Sequence, residues 1–282
     1  MTAKKDIIAL FNKNVKGKKP NTDDKNVRHD GREGHWLEQQ FGITANADNE
    51  ADLMGYELKN ETTSKTTFGD WSANEYIFTM PNYKNLFVGK SKCEKQNSFI
   101  KIFGRPNTEK EGRYSWSGTP CPKIGDYNTY GQRLEITGNK DIIAVYSYLH
   151  DKRENKSNII PTEFQKEKII VARWYGESTP IEKCKDKCLA TCTKKRCNKK
   201  CLKKKLEDKF NDKGWFTCKK DDTGTYVKIC FGKPMNYDEW IKLVKDGTVF
   251  FDSGMYEGNS RPYSQWRANN NYWNSLITEE YE

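Results

Sequence analysis

Asp52, Glu57 and Lys59 stand in the run Asp52-Leu-Met-Gly-Tyr-Glu57-Leu-Lys59. One carboxylate is followed five residues later by a second, and two residues beyond that by an ammonium. Leu53-Met-Gly-Tyr56 reads as a turn into a strand, with Gly55 supplying the permissive backbone. Side chains alternate along a strand, so Glu57 and Lys59 leave one face while Tyr56 and Leu58 leave the other. Asp52 then approaches Glu57 across the bend. Two carboxylates held together repel unless a positive group sits between them, and a hard divalent cation with oxygen ligands is the usual answer. An ammonium beside that cation can orient or deprotonate a water. That is a plan for metal-assisted hydrolysis of a phosphodiester. The same residue types also fit a solvated strand edge, because short motifs recur by chance. The surrounding chain has to decide.

The elements that must position these groups are legible in outline. Ahead of them, Trp36, Leu37 and Phe41 recur at helical spacing and Gly42 suits the helix stop, which places Glu38 at the edge of the apolar stripe. Behind them, Asn60–Lys65 is a polar loop in which Thr62 and Ser64 offer hydroxyl donors. A short apolar helix, Ile7–Phe11, precedes a Lys/Asn/Asp-rich linker that runs to Asp30. Glu75–Thr79 reads as a strand ended by Pro81, and Ser98–Gly104 as either helix or strand. The stretch 112–120 is a Gly/Ser/aromatic segment ending in a turn. Tyr130–Thr137, Asp141–Tyr148 and Lys168–Trp174 read as strands, with a charged connection over 149–166. Near the end come an amphipathic helix at Asn236–Val244 and a strand at Thr248–Asp252. A Gly/Ser/Asn/Arg loop or hairpin over Ser253–Arg267 and a closing helical turn at Asn271–Ile277 complete the chain.

At 282 residues the chain is long enough for one large domain or two small ones. Its mean hydropathy of −0.98 is low, but 13% aromatic residues supply material for a core. A net charge of +10 points to a polyanion, nucleic acid before an anionic membrane surface. No apolar run approaches the ~20 residues of a membrane span, and the Met-Thr-Ala-Lys-Lys-Asp start has no signal-peptide core. A cytoplasmic protein without membrane contact is therefore expected. Among nine cysteines, Cys184, Cys188 and Cys192, and again Cys197 and Cys201, are spaced by four within a lysine-rich stretch. On helices that spacing stacks thiols on one face. Cys184, Cys188, Cys197 and Cys201 are candidates for zinc or for disulfides, zinc being the better fit inside a cell. A lysine-rich insertion with reduced thiols is the alternative.

Taken in order, Gly34-x-Trp36-Leu37-Glu38, Asp52…Glu57-Leu-Lys59, Phe78-Thr79-x-Pro81, Tyr130-Gly-x-Arg133 and Leu243–Asp252 with its following Gly/Arg loop resemble a known pattern. The chain resembles the MutH-like branch of the PD-(D/E)xK nucleases, and within it the MvaI/BcnI-type restriction endonucleases. The likeness runs over 31–148 and 236–277. The resemblance implies an α/β fold, a mixed central β-sheet flanked by helices, with a DNA cleft between catalytic and recognition parts. It implies Asp52 and Glu57 as metal ligands, the Leu58 carbonyl as a candidate third, Lys59 as the group that positions or activates water, and Glu38 as the helix glutamate of such sites. It makes the segment after Asp252 the base reader, with Arg261 or Arg267 for guanine, Gln265 for adenine and Tyr263 beside them. Arg113, Tyr114 and Trp116 are assigned to the opposite wall. Ser264-Gln265-Trp266 stands where histidines are often found in that family, which leaves the target sequence open.

The expectation is a Type II restriction endonuclease that hydrolyses double-stranded DNA at a specific sequence with Mg²⁺ (Mn²⁺ as a substitute), leaving 5′-phosphates. It would act as a monomer, with a cognate DNA methyltransferase as genetic rather than physical partner. The domain reading is helix and linker 1–30, catalytic core 31–175, Cys/Lys-rich insertion 180–220 and recognition part 221–282. A mismatch-repair nickase, a structure-selective resolvase and a non-catalytic basic DNA-binding or zinc-stabilised interaction protein are the alternatives.

Overall fold

In the computed structural model, residues 2–22, 31–44, 49–180, 196–197 and 200–282 are described, 196–197 by their backbone only. The chain divides into two compact units. The first collects residues 1–67, 205–237 and 268–282, and the second 68–204 and 238–267.

The first unit is built on a four-stranded mixed sheet. The short strand Glu57–Lys59 pairs parallel with Trp215–Lys220, which pairs antiparallel with Tyr226–Gly232, which in turn pairs antiparallel with Ile277–Tyr281. Alternation gives each face its own partners. Leu58, Phe216, Cys218, Ile229 and Phe231 form one buried cluster with Ile7, Phe11 and Val15 of the helix region Ala3–Asn14 and with Trp36, Leu37 and Phe41 around the helix Arg32–Gln40. Trp36 stacks on Tyr226 with ring centroids 5.7 Å apart. Glu57, Lys59 and Trp215 belong to the other face, where Trp215 meets Trp273 edge-on at 5.0 Å and the Lys59 ammonium lies 5.2 Å from the Phe210 ring. The strand Glu57–Lys59 is therefore carried on a sheet whose opposite face buries a largely apolar cluster.

The second unit holds a four-stranded antiparallel sheet in the order Glu75–Tyr76, Ile169–Trp174, Ile142–Asp151, Tyr130–Ile136. The helix Lys92–Phe103, started by a Ser91/Glu94 capping box, buries Phe99, Ile100 and Phe103. Its core is aromatic: Phe99 meets Trp116, and Trp174 meets both Phe251 and Trp266, with centroids between 5.0 and 5.6 Å apart.

Several sequence expectations change. Residues 180–220 are not wholly an insertion: Leu202–Phe210 is a helix, and Trp215–Lys220 is the strand paired with Glu57–Lys59. The lysine and cysteine content hid the apolar positions Leu206, Phe210, Trp215 and Phe216, all buried. Only Glu75–Tyr76 of the expected strand 75–79 is extended. Ile77–Thr79 turns as a 3₁₀ helix that buries Ile77 and Phe78 together, which a strand cannot do on one face. Of Ser98–Gly104, all but the final glycine belongs to the helix Lys92–Phe103, and Lys65–Asp70 is a strand the composition did not announce. The segment Ser253–Arg267 is not loop throughout, since Gln265–Asn269 is a strand paired with Phe250–Asp252. Beyond the closing helix Asn270–Ser275, Ile277–Tyr281 adds the outer strand of the first unit's sheet.

Candidate active site

The bend before the strand Glu57–Lys59 is a two-residue hairpin turn. Leu53 and Tyr56 exchange both backbone hydrogen bonds at 2.9 Å, and Met54 (φ 52°) and Gly55 (φ 85°) both adopt the left-handed region that such a turn needs. The positive φ of Gly55 favours glycine there, and a Cβ would also press on the Asp212 carboxylate, which would have to shift. The turn brings the Asp52 carboxylate back onto the strand, where its Oδ2 accepts the Leu58 N–H at 2.9 Å.

Glu57 is buried and its two oxygens have different surroundings. Oε1 accepts from Lys59 Nζ at 2.8 Å and from Lys209 Nζ at 2.9 Å. Oε2 is buried and has no hydrogen-bond partner among the described residues. Asp52 is held at a pKa of about 6, first by burial and then by the charge of Glu57, against the pull of Lys59 and Lys209. Glu38 lines the same cleft of about 650 Å³ as Asp52, Glu57, Lys59 and Lys209. Its carboxylate lies 3.0 Å from His35 Nδ1. Thr62 lines the cleft as well. Its carbonyl accepts from Asn270 Nδ2 at 2.7 Å, and the Ser64 carbonyl accepts from the Asn270 N–H at 3.0 Å.

These groups fit a hard divalent cation. A buried carboxylate oxygen lacks a donor, and a neighbouring carboxyl is held up by burial and by that carboxylate; a bound cation offsets both. The described residues contain no group of three His, Cys, Asp or Glu side chains suited to a metal. Two carboxylates completed by a backbone carbonyl, waters and a substrate phosphate match the habit of Mg²⁺.

Sequence reasoning missed Lys209. It lies on the helix Leu202–Phe210, read as part of an insertion, and one lysine among many carries no signal of its own. Helical spacing of Leu202, Leu206 and Phe210, all buried, was the available clue.

The expected base-reading residues lie in the second unit. Arg261 is half exposed; it bonds Asp70 at 2.7 Å and lies over the Tyr263 ring at 4.2 Å. Arg267 is bonded to Gln265 and lies 3.5 Å from Asp252. Arg113 stacks on Tyr256 at 3.7 Å, and the Tyr114 carbonyl accepts the Glu257 N–H at 2.9 Å. Trp116 is a correction. It is fully buried, donating from Nε1 to Gln132 Oε1 at 2.7 Å, and so packs the core instead of walling a cleft. Cys184 and Cys188 lie outside the described residues, as does the side chain of Cys197. Cys201 is buried, with Sγ 3.3 Å from the Glu177 carbonyl oxygen.

A mixed sheet carrying Asp-x₄-Glu-x-Lys across a hairpin turn defines the class: an α/β protein with a restriction-endonuclease-like core. The MvaI restriction endonuclease, solved with its cognate DNA substrate, shares the fold at a TM-score of 0.55 and 12% identity, covering 100% of this chain and 98% of that one. The family model described as LlaMI restriction endonuclease matches residues 15–281. The Type II restriction enzyme ScrFI of Lactococcus lactis subsp. cremoris is 57% identical over 277 residues, 98% of this chain and 97% of the relative. The chain belongs to the LlaMI restriction endonuclease family and is a Type II restriction endonuclease.

Proposed function

We propose that this enzyme cuts double-stranded DNA at a short specific sequence by Mg²⁺-assisted hydrolysis that leaves 5′-phosphates, with Asp52, Glu57, Lys59 and Glu38 as its catalytic residues. The observation that carries the reading is the buried, unmatched Oε2 of Glu57 beside Asp52, with Lys59 on the same strand face. Asp52 and Glu57 would hold the cation, the Leu58 carbonyl being a further candidate ligand. Mg²⁺, or Mn²⁺ in its place, supplies Lewis-acid polarisation of the scissile phosphate. Lys59, packed against Glu57 and over Phe210, has few alternative positions and orients the attacking water while stabilising charge on the phosphate. Glu38 at the cleft wall takes part through water, and Thr62 and Ser64 offer hydroxyls to the DNA backbone.

Catalysis is assigned to the first unit and base reading to the second. Arg261, Tyr263 and Arg113, with Tyr114, are the favoured contacts there; Arg267 and Gln265 would first have to part from each other. The enzyme is proposed to work as a cytoplasmic monomer alongside a methyltransferase that protects host DNA. Among the described residues no helix is long and apolar enough to cross a membrane.

The test is incubation of the purified protein with an unmethylated plasmid of known sequence, with Mg²⁺ or EDTA, followed by end-sequencing. Discrete Mg²⁺-dependent fragments with a shared terminal sequence and 5′-phosphates are expected. Cleavage that persists in EDTA overturns the metal role, and nicks confined to one strand overturn the duplex-cutting role.

A further inference from the structure

Two ammoniums, not one, sit on the carboxylate pair. Lys59 and Lys209 both donate to Glu57 Oε1, at 2.8 and 2.9 Å. Lys59 is fixed by the strand itself, two residues from Glu57. Lys209 comes from 152 residues away and is delivered by a helix tied directly to the Asp52 segment. The Asp208 carbonyl accepts the Ala51 N–H at 3.2 Å, and the Lys205 carbonyl accepts from Asn49 Nδ2 at 2.6 Å. Phe210, next to Lys209, is fully buried and anchors the end of the helix. The Lys209 side chain is only 16% exposed, so its place on Glu57 is built in and not a chance surface contact.

Charge then sets the problem. Asp52 and Glu57 contribute two negative charges, and Lys59 and Lys209 two positive ones, so the fully ionised cluster is neutral without any metal. A divalent cation on Glu57 Oε2 would share one carboxylate with both ammoniums, which hold its other oxygen, and like charges on one carboxylate repel. We propose that Lys209 is the resident counter-ion of the carboxylate pair and competes with the divalent cation for Glu57. This rests on the metal role proposed for Asp52 and Glu57. The lysine holds the site together before the ion arrives and lowers the affinity for the ion in the absence of DNA. A phosphate brought in by the substrate offers the displaced ammonium a new anion, so metal binding is favoured where DNA is present.

The experiment is a calorimetric Ca²⁺ titration of the DNA-free protein, comparing wild type with Lys209→Met, Lys209→Gln, Lys209→Arg and Asp52→Asn. Melting of each protein in EDTA and in saturating Ca²⁺ is measured alongside. Lys209→Met and Lys209→Gln should bind Ca²⁺ about tenfold more tightly, about 1.4 kcal/mol, while Lys209→Arg, which keeps the charge, stays close to wild type. Both neutral variants should melt below wild type in EDTA, and saturating Ca²⁺ should narrow that gap, because an ion that binds the folded state better adds stability there. Unchanged or weaker binding in both neutral variants, or the same melting gap with and without the ion, overturns the proposal and leaves Lys209 a structural residue. If Asp52→Asn binds Ca²⁺ as wild type does, the metal-site reading itself fails, and the role of Lys209 falls with it.

Discussion

Replacing Asp52 with asparagine should make the metal-free protein more stable while ending its activity. In the fold, burial and the neighbouring Glu57 hold the Asp52 carboxyl at about 6, against about 3.9 in an unfolded chain. The folded protein therefore binds this proton more tightly than the unfolded chain does. The stability it contributes is present below pH ~4 and is lost as pH rises through ~6. Ionising Asp52 in the metal-free site thus costs about 3 kcal/mol as an upper estimate, less what partial solvent access recovers. About half of that cost is already incurred at pH 5, which leaves about 1.4 kcal/mol to appear between pH 5 and pH 8. Asparagine carries no charge, yet its side-chain oxygen can still accept the Leu58 N–H that Asp52 now accepts at 2.9 Å. Urea unfolding in EDTA should show Asp52→Asn more stable than wild type at pH 8, with the difference shrinking by about 1 kcal/mol at pH 5. Added Mg²⁺ should stabilise the wild type and not the variant. A variant less stable than wild type at pH 8, or a difference that does not move with pH, would refute the account of a half-buried Asp52 repelled by a buried Glu57.

Other outcomes follow from the same geometry. Lys59→Ala should lower the single-turnover cleavage rate at least about a hundredfold while gel-shift affinity for the target in Ca²⁺ survives; a wild-type rate removes Lys59 from the mechanism. Gly55→Ala should cost about 1–3 kcal/mol in urea unfolding and abolish cleavage, since Gly55 has φ 85° and Asp212 occupies the Cβ position; unchanged activity would contradict the turn. Arg261→Ala should weaken binding to the specific sequence by roughly tenfold and leave non-specific binding largely intact, and equal losses on both DNAs would make it a backbone contact. Trp116→Ala should cost about 3–5 kcal/mol without changing the sequence that is cut, as a fully buried side chain bonded to Gln132 requires.

Local chemistry made the turn and the strand Glu57–Lys59 legible. Gly55 marks the turn, alternation puts Glu57 and Lys59 on one face, and the five-residue gap lets Asp52 return to Glu57; each is a relation between near neighbours. The helices around Phe11 and Trp36 and the strands at 130–136, 142–151 and 169–174 were readable for the same reason, since period and propensity act within a few residues. Relations across the chain were not readable. Nothing in Leu202–Phe210 announces that its helix docks on Asn49 and Ala51, or that Lys209 reaches Glu57 from 152 residues away. Trp116 looks from the sequence like a group offered to DNA, because an aromatic ring serves a core and a binding surface equally well. Its complete burial is decided by what packs around it. The sequence alone determined the residue types and spacing that make the chemistry available. Only the tertiary structure decided which ammoniums share Glu57 and which of its oxygens stays unmatched, because electrostatic energy depends on distances and burial that neighbours in sequence do not specify.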